Sequence, residues 1–191
     1  TGRASSLETS QLLPAIADAT ALASAKAVAT QAFVAVADAL EARGLKVGDP
    51  RPYIADLMVQ EGLLAGPPPS EAIKADMEVA RRAALKLGAK DRGQAAAALG
   101  GRVLGLEGRS GTDALIARVK HSGAVLAKVV KPGQDPRFDL PVIGPRTVIG
   151  ASEQGFKAIG VEANGVLVLE KDEVLAECNE RRISLFGLAA S

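Results

Sequence analysis

The sequence predicts an α/β protein, with α+β as the alternative, in which helices flank a mostly buried mixed sheet in a compact C-terminal domain. The 191 residues are 48% apolar with a net charge of +1, so the chain has enough apolar material to bury a core. After residue 70, short apolar runs that fit strands alternate with segments that fit helices. Before residue 66 the chain is instead alanine-rich, with apolar residues every three or four positions. The alternation predicts the fold class, and the change of pattern indicates two domains.

The first element is a helix predicted over residues 10–43, which Gly44 would end. Pro14 suits the first turn of that helix, so the helix is expected to begin near it. Residues 48–52 predict a turn, and YIADLMV (53–59) fits either a short strand or a helical turn. The three prolines of GPPPSEA (66–72) suit neither a helix interior nor a central strand. We therefore expect a domain boundary here, between residues 1–66 and 67–191.

The second domain is expected to open with a helix that Ser70 caps and Gly88 ends. The face of this helix that turns to the core carries Ile73, Met77, Ala80, Ala84 and Leu87. AAAALGGRVLGLEG (95–108) then predicts a strand or hairpin. Ser110 and Asp113 have the spacing of a capping box, so they predict the start of a short helix.

The remaining elements alternate between strands and helices. SGAVLAKVVK (122–131) predicts a buried strand, TVIGASEQG (147–155) a short helix and KAIGVEA (157–163) a strand. GVLVLE (165–170) predicts a strand that is entered by a turn at Asn164 and Gly165. KDEVLAECNERR (171–182) predicts a helix, and ISLFGLA (183–189) a final strand.

Composition argues against several classes of function. With 23 basic and 22 acidic residues, 3% aromatic residues and no tryptophan, the chain lacks the field and the stacking platforms that nucleic acid requires. The single cysteine, Cys178, cannot form an internal disulfide, which favours a reducing cytoplasm. The single histidine, His121, is expected at an exposed helix end. One histidine and one cysteine cannot build a zinc site, and no GxSxG, Walker or GxGxxG motif is present.

Two lysines mark the end of the predicted strand AVLAKVV (124–130). Lys128 interrupts the apolar run, where an ammonium is costly unless an anion or a carboxylate meets it. Lys131 follows the strand. Because ligands collect at the carboxyl ends of strands in open α/β sheets, both amines are expected to face one place. The alternative is that Lys128 lies on an edge strand and extends its ammonium into solvent.

The loop that follows is both rigid and charged. Its prolines fix backbone torsions, so the side chains of Gln134, Asp135, Arg137 and Asp139 are held with little entropy left to lose on binding. Carboxylates beside basic groups suit a centre for phosphate and magnesium, and an aspartate there can activate a water molecule. The alternative is a tight surface turn whose charges pair with each other.

The segment LEGRSGTDA (106–114) is a third candidate. Its glycines allow a close approach of the backbone to a ligand, and the amides at a helix start favour an anion. The alternative is that Thr112 and Asp113 are simple helix caps. Another polar turn, for which the same two alternatives are open, contains Asp91, Gly93 and Gln94.

Three blocks of the sequence resemble the LpxI family of UDP-2,3-diacylglucosamine pyrophosphatases from lipid A biosynthesis. They are GTD (111–113), KPGQDPRFDLPVIGPRT (131–147) and KAIGVEANGVLVL (157–169), and their order and spacing also agree with the family. The resemblance covers roughly the last two thirds of the chain. It implies a cytoplasmic, magnesium-dependent hydrolase that splits the pyrophosphate into UMP and 2,3-diacylglucosamine 1-phosphate, with water attacking the phosphorus on the sugar side. As partners it implies an acylated nucleotide-sugar substrate and no nucleic acid, with transient contact at the inner-membrane surface and a homodimer as further expectations.

The resemblance also implies roles for particular residues. Asp139, in the R-x-D-L-P motif, would be the principal catalytic carboxylate, and it would hold the metal or activate water. Asp135 would be a second metal ligand. The positions expected to bind substrate are Thr112, Asp113, Lys128, Lys131, Gln134, Arg137 and Thr147.

The chain departs from the family in its first part. Members of the family begin with a Rossmann-like half that carries a glycine-rich turn, and no such turn occurs before Gly44. We therefore expect the alanine-rich segment to be a remnant of a truncated Rossmann-like half, and a chain without the full nucleotide pocket to be weak or inactive alone. Two other classes remain open: a module that binds an acylated sugar phosphate without turnover, and a structural or regulatory interaction domain.

Overall fold

The computed structural model describes residues 29–190, with side chains from residue 34 onward. The chain forms two compact units. One contains the described residues up to Pro50 together with Asp135–Asp139, and the other contains Arg51–Gln134 and the chain from Leu140 onward. The first part of the predicted N-terminal helix, including Pro14, lies outside the described residues.

The first unit contains helix α1, Ala29–Glu41. Gly44 has a φ of +83°, a left-handed conformation that glycine adopts without strain. Its N–H donates to the carbonyl of Glu41 at 2.9 Å, and the N–H of Leu45 donates to the carbonyl of Leu40 at 3.1 Å. These two bonds form a Schellman motif, which confirms Gly44 as the C-terminal stop of the helix.

The second unit is built on a mixed sheet of six strands among the described residues. The strands are β1 (Gly62–Ala65), β2 (Ala95–Leu99), β3 (Arg102–Leu106), β4 (Val125–Lys128), β6 (Ala158–Glu162) and β8 (Ser184–Leu188), in the spatial order β1-β8-β6-β4-β2-β3. β4, β6 and β8 run parallel, whereas β1, β2 and β3 are antiparallel to their neighbours. Strands β5 (Val142–Ile143) and β7 (Leu167–Val168) form a separate parallel pair. This architecture confirms the predicted fold class.

One face of the sheet is covered by helix α2, Glu71–Gly88. The Ser70 hydroxyl accepts a hydrogen bond from the N–H of Ile73 at 3.3 Å, so the predicted N-cap is confirmed. The predicted core-facing residues are buried, except that Ile73 is partly exposed. The alanines of β2 and β4 that face α2 have small side chains, which lets the helix pack close to the sheet.

The opposite face is covered by three shorter helices: α3 (Gly111–Arg118), α4 (Pro145–Glu153) and α5 (Lys171–Glu180). Their buried residues join the largest core cluster together with Leu126, Ile159 and Leu185 of the sheet. The helices predicted at 147–155 and 171–182 are thus confirmed, and the first of them begins two residues earlier, at Pro145, which suits a first helical position.

The hairpin predicted at 95–108 is present as β2 and β3. Its turn is Gly100–Gly101, and both glycines have positive φ, 59° and 75°. The carboxylate of Asp76 on α2 is 8% exposed and accepts hydrogen bonds from both glycine N–H groups, at 2.9 Å and 2.6 Å. Asp76 therefore joins helix α2 to the end of the hairpin.

The structure differs from the sequence-based expectations in two elements. β1 was not predicted, and it pairs with β8 although it precedes the three prolines. For YIADLMV the helical alternative is confirmed, since Ala55–Leu57 is a 3-10 helix. The strand expected in GVLVLE is only the two residues of β7, which pair with β5 and lie outside the main sheet. The division of the chain into domains at residue 66 stays a prediction.

Candidate active site

Lys128 lies at the end of β4 in the middle of the sheet, between β6 and β2. The residue is 8% exposed. Its ammonium donates hydrogen bonds to the Thr112 hydroxyl at 3.0 Å and to the carbonyl oxygen of Val142 at 2.8 Å. The alternative in which Lys128 leaves an edge strand for solvent is therefore wrong. A buried cation requires partners of this kind, because removing it from water is otherwise strongly unfavourable.

Glu107 extends this arrangement, although it was not among the residues predicted for the site. Its Oε1 accepts a hydrogen bond from the Thr112 hydroxyl at 2.6 Å, and its Oε2 accepts one from the N–H of Gln94 at 2.6 Å. Lys128, Thr112 and Glu107 thus form a continuous set of hydrogen bonds, which we call the lysine–threonine–glutamate chain. The signal in the sequence was the position of Glu107, near the end of the strand or hairpin predicted at 95–108 and five residues before Thr112.

Thr112 and Asp113 lie in the first turn of α3. Ser110 precedes the helix with φ −83° and ψ 2°, and its side chain makes no capping hydrogen bond, so the predicted capping box is wrong. The Thr112 hydroxyl contacts the side chains of Lys128 and Glu107, which is more than a cap would do. Asp113 is exposed, and its carboxylate lies 3.6 Å from the guanidinium of Arg146.

A shallow cavity of about 100 Å³ lies between α3 and α4. Arg146 lines it together with Asp113, the one residue predicted for the site among the described lining residues. Thr147 is buried in the first turn of α4, where its N–H donates to the carbonyl of Gly144 at 3.0 Å. The positions of Asp113 and Thr147 thus give no direct support to a role in binding, and their role stays a prediction.

Lys131 follows the end of β4, and its partners differ from those of Lys128. Its ammonium forms an ion pair with Asp91 at 2.9 Å, and its backbone packs against Gly88 at the end of α2. Lys128 instead bonds to Thr112 on the face that α3 covers. The two ammonium groups thus have different partners, and the expectation that they face one place stays a prediction.

Gln134 closes the turn Lys131–Gln134, whose central residues are Pro132 and Gly133. Gly133 has a φ of +78°, as the third residue of a type II turn requires. The Gln134 Oε1 accepts a hydrogen bond from the N–H of Lys131 at 3.0 Å. The side chain is 8% exposed, and its Nε2 has no hydrogen-bond partner in the described part of the chain. A buried amide donor of this kind is rare, and it suits a ligand or water oxygen.

Asp135 and Arg137 pair with each other in the first unit. The Arg137 guanidinium donates to both carboxylate oxygens of Asp135, at 2.7 to 3.0 Å, and to Glu41 at 3.1 Å. The hydrogen bonds to Arg137 hold the pKa of the Asp135 carboxyl below its usual value, and the same interaction raises the pKa of Arg137. For these two residues the alternative of a turn with self-paired charges is confirmed.

Asp139 differs from Asp135 in this respect. Its backbone N–H donates to the carbonyl of Asp135 at 3.1 Å, which closes the turn. Asp139 is partly buried, and its carboxylate has no recorded side-chain partner among residues 29–190. Of the two aspartates in the loop, Asp139 is the one whose oxygens remain available to a substrate or a water molecule.

The predicted site residues therefore fall into two groups. Asp135, Arg137 and Asp139 belong to the first unit. The second unit contains the other predicted residues, namely Thr112, Asp113, Lys128, Lys131, Gln134 and Thr147. Within the second unit, Lys128 and Thr112 are in direct contact, whereas Lys131 and Asp113 bond to other partners.

Two further predictions concern the single histidine and the single cysteine. His121 is exposed after α3, as expected. Cys178 is fully buried in α5, and burial raises the pKa of its thiol to about 12, with a smaller effect from Glu177. The thiol is therefore unreactive in the folded protein. In the described part of the chain, no helix has the length and the apolar character that a membrane span requires.

Comparison with known proteins yields one family and one relative. Residues 60–186 match the family model described as the LpxI C-terminal domain. The chain is also similar to the UDP-2,3-diacylglucosamine pyrophosphatase LpxI of Caulobacter vibrioides, with 30% identity over 164 residues. The aligned region covers 80% of this chain and 59% of that protein, so the chain spans less than two thirds of its relative. The range that matches the family model contains every residue predicted for the site, and Glu107 as well.

Proposed function

The chain belongs to the LpxI family through its C-terminal domain, and we propose that it takes part in the hydrolysis of UDP-2,3-diacylglucosamine in lipid A biosynthesis. In the proposed reaction, water attacks the phosphorus on the sugar side of the pyrophosphate, and UMP leaves. The other product is 2,3-diacylglucosamine 1-phosphate. The family match and the name of the relative, a pyrophosphatase for this substrate, support the proposal.

The buried ammonium of Lys128 is the observation that most directly supports an anionic substrate. Lys128 lies at the carboxyl end of a central parallel strand, the edge at which ligands bind in open α/β sheets. A domain without an anionic ligand gains little from a buried cation at this position, since an apolar residue would stabilise the core at lower cost. We propose that Lys128 binds a phosphate oxygen and that Thr112 holds the ammonium in position.

Asp139 and Gln134 have groups that suit the remaining parts of the reaction. An aspartate whose oxygens are available can accept a proton from water, and we propose this role for Asp139. The Gln134 Nε2 can donate to a phosphate or sugar oxygen, which would give that buried group a partner. Lys131 and Arg137 already form ion pairs with Asp91 and Asp135, so their proposed contribution is positive charge near the substrate rather than a dedicated bond.

Dependence on magnesium stays a prediction, and the described side chains do not fit a preformed metal site. Among residues 29–190 no three His, Cys, Asp or Glu side chains are grouped so that they could hold an ion. Both carboxylate oxygens of Asp135, the predicted second ligand, are bonded to Arg137. We therefore derive no step through a metal. Activity before and after removal of divalent ions with EDTA tests the prediction.

Release of UMP from UDP-2,3-diacylglucosamine tests the proposed function. The protein should release UMP, and Asp139→Asn should lower the rate by roughly 100-fold to 10,000-fold, the usual contribution of a general base. Asp172→Asn changes an exposed aspartate in α5 and is the matched control, with wild-type activity expected. Full activity in Asp139→Asn would contradict the role of this residue, and absence of UMP release from the wild type would contradict the reaction.

Binding measurements separate hydrolysis from the alternative of a binding module. A ligand that binds the folded state raises the melting temperature. If 2,3-diacylglucosamine 1-phosphate raises the melting temperature while the wild type releases no UMP, the chain binds the acylated sugar phosphate without turnover. If neither substrate nor product changes the melting temperature, the interaction-domain alternative is favoured. A homodimer, contact with the inner-membrane surface and a cytoplasmic location stay predictions.

A further inference from the structure

One row of backbone-paired residues crosses the ends of three neighbouring strands. It contains Glu107 just after β3, Ala95 of β2 and Lys128 of β4. Ala95 of β2 pairs with Lys128 of β4, and the N–H of Glu107 donates to the carbonyl of Ala95 at 2.8 Å. Since neighbouring strands are about 4.8 Å apart, the backbones of Glu107 and Lys128 are roughly 10 Å apart. The Thr112 hydroxyl, which enters from the first turn of α3, bridges the two side chains.

The direction of the hydrogen bonds along the lysine–threonine–glutamate chain follows from the donors and acceptors that each of the three side chains offers. The ammonium of Lys128 can only donate, so the Thr112 oxygen must accept from it. Thr112 then has one proton to donate, and the carboxylate of Glu107, which can only accept, receives it. No other arrangement satisfies all three groups. An ionised Glu107 therefore fixes the Thr112 hydroxyl so that its lone pairs face Lys128.

Glu107 is itself held in place by the backbone. The N–H of Gln94 donates to its Oε2. Gly93 has a φ of +152°, and an added Cβ at that position would lie 3.0 Å from the Cβ of Glu107. The loop between α2 and β2 thus leaves space for this glutamate and supplies a donor for it, as expected for a side chain whose position matters.

We infer that Glu107 is a positioning residue, which acts through Thr112 to hold the Lys128 ammonium in a single orientation at the carboxyl edge of the sheet. The functional part of this inference rests on the proposed pyrophosphate hydrolysis. Glu107 does not touch the substrate in this scheme. Its carboxylate keeps the cation preorganised for a phosphate oxygen, so its loss should affect the rate of the chemical step more than the binding of the substrate.

The first test observes Lys128 without any substrate. Hydrogen-bonded lysine ammonium groups in slow exchange with water give proton–nitrogen correlation signals in NMR. We expect such a signal for Lys128 in the wild type, and its broadening or loss in Glu107→Gln, because the amide of glutamine can donate to Thr112 and release the hydroxyl. Asp76→Asn is the matched control. It also changes a carboxylate that accepts two hydrogen bonds, here from the backbone N–H groups at the turn of the β2–β3 hairpin, and it should keep the Lys128 signal.

The second test uses the kinetics of UMP release. Glu107→Gln should lower kcat roughly 10-fold to 100-fold, with a smaller change in KM, whereas Asp76→Asn should keep the kcat of the wild type per folded molecule. Thr112→Val should resemble Glu107→Gln, and Thr112→Ser, which retains the hydroxyl, should restore most of the activity. If Glu107 acts through Thr112, the double variant of Glu107→Gln and Thr112→Val should be no slower than Thr112→Val alone.

The results of the two tests distinguish failure of the positioning role from failure of the proposed hydrolysis. An unchanged Lys128 signal in Glu107→Gln overturns the positioning role, whatever the activity of the wild type. Additive losses of kcat in the double variant also overturn it, because they would show that Glu107 acts by another route. If the wild type releases no UMP, the proposed function fails, and the NMR comparison alone decides the inference. If Glu107→Gln does not fold, Glu107→Asp, whose shorter side chain moves the carboxylate away from Thr112, provides the same comparison.

Discussion

Replacement of Lys128 by methionine should separate stability from activity. Methionine has nearly the same length as lysine but carries no charge, so it can fill the same buried space at the end of β4. If our proposal is right, the ammonium of Lys128 serves to bind the substrate and is not needed for the stability of the core. We therefore expect Lys128→Met to fold with a stability close to that of the wild type and to release almost no UMP.

The magnitude follows from the two hydrogen bonds of the ammonium. Each bond from a charged donor contributes about 1.5 to 3 kcal/mol, so the bonds to Thr112 and Val142 together contribute about 3 to 6 kcal/mol. Their loss is offset because methionine has no ammonium to desolvate, a penalty of several kcal/mol, and because its burial contributes about 1.5 to 3 kcal/mol. The net change in the free energy of unfolding should be within about 2 kcal/mol. Loss of a preorganised positive donor should lower kcat by roughly 100-fold or more.

Urea unfolding and UMP release, measured on the same samples, give the two quantities. Lys157→Met is the matched control, because Lys157 is exposed just before β6, and both quantities should stay near the wild-type values. If Lys128→Met loses more than about 4 kcal/mol of stability and keeps its activity per folded molecule, the lysine has a structural role and our argument is refuted.

Three further predictions concern the fold. Asp76→Ala removes both acceptors at the β2–β3 turn and should lower the free energy of unfolding by about 2 to 4 kcal/mol in urea; a change below about 0.5 kcal/mol would contradict the role of this carboxylate. Gly66→Ala should unfold the protein or lower its melting temperature strongly, because Gly66 has a φ of +77° and an added Cβ would overlap the carbonyl of Ile183; an unchanged melting temperature would contradict the close contact. The pKa of Cys178 is raised by burial to about 12, so above about pH 8.5 the unfolded chain loses the thiol proton before the folded protein does, and stability should fall as pH rises. Iodoacetamide at about pH 8 should accordingly label Cys178 only as fast as the protein unfolds, and rapid labelling of the folded protein would contradict the burial.

Much of the fold could be predicted because the signals are local. Ser70 as an N-cap, Gly44 as a helix stop and the Gly100–Gly101 turn depend on the conformational preferences of single residues and their neighbours. The buried strand β4 and the helix α2 follow from the spacing of apolar residues. The resemblance to LpxI rests on the same kind of linear pattern, and the match to the family model confirmed it.

The elements that could not be predicted depend on distant partners. β1 is a strand because β8, more than a hundred residues later, offers it an antiparallel edge, and its four residues show no strong pattern of their own. The capping box of Ser110 failed because the Thr112 hydroxyl and Asp113 have other partners, and those partners come from the residue after β3, from β4 and from α4.

The sequence alone determined which chemical groups this protein has, and roughly where along the strands and loops they occur. It placed Lys128 in an apolar run, Asp139 in a rigid loop and Thr112 at a helix start. Only the tertiary structure decided which of these groups meet. It brought Lys128 to Thr112 and Glu107, turned Lys131 to Asp91, and paired Asp135 with Arg137. The reason is physical: hydrogen bonds and ion pairs act over about 3 Å, so their partners are fixed by strand order and side-chain direction and not by spacing in the chain.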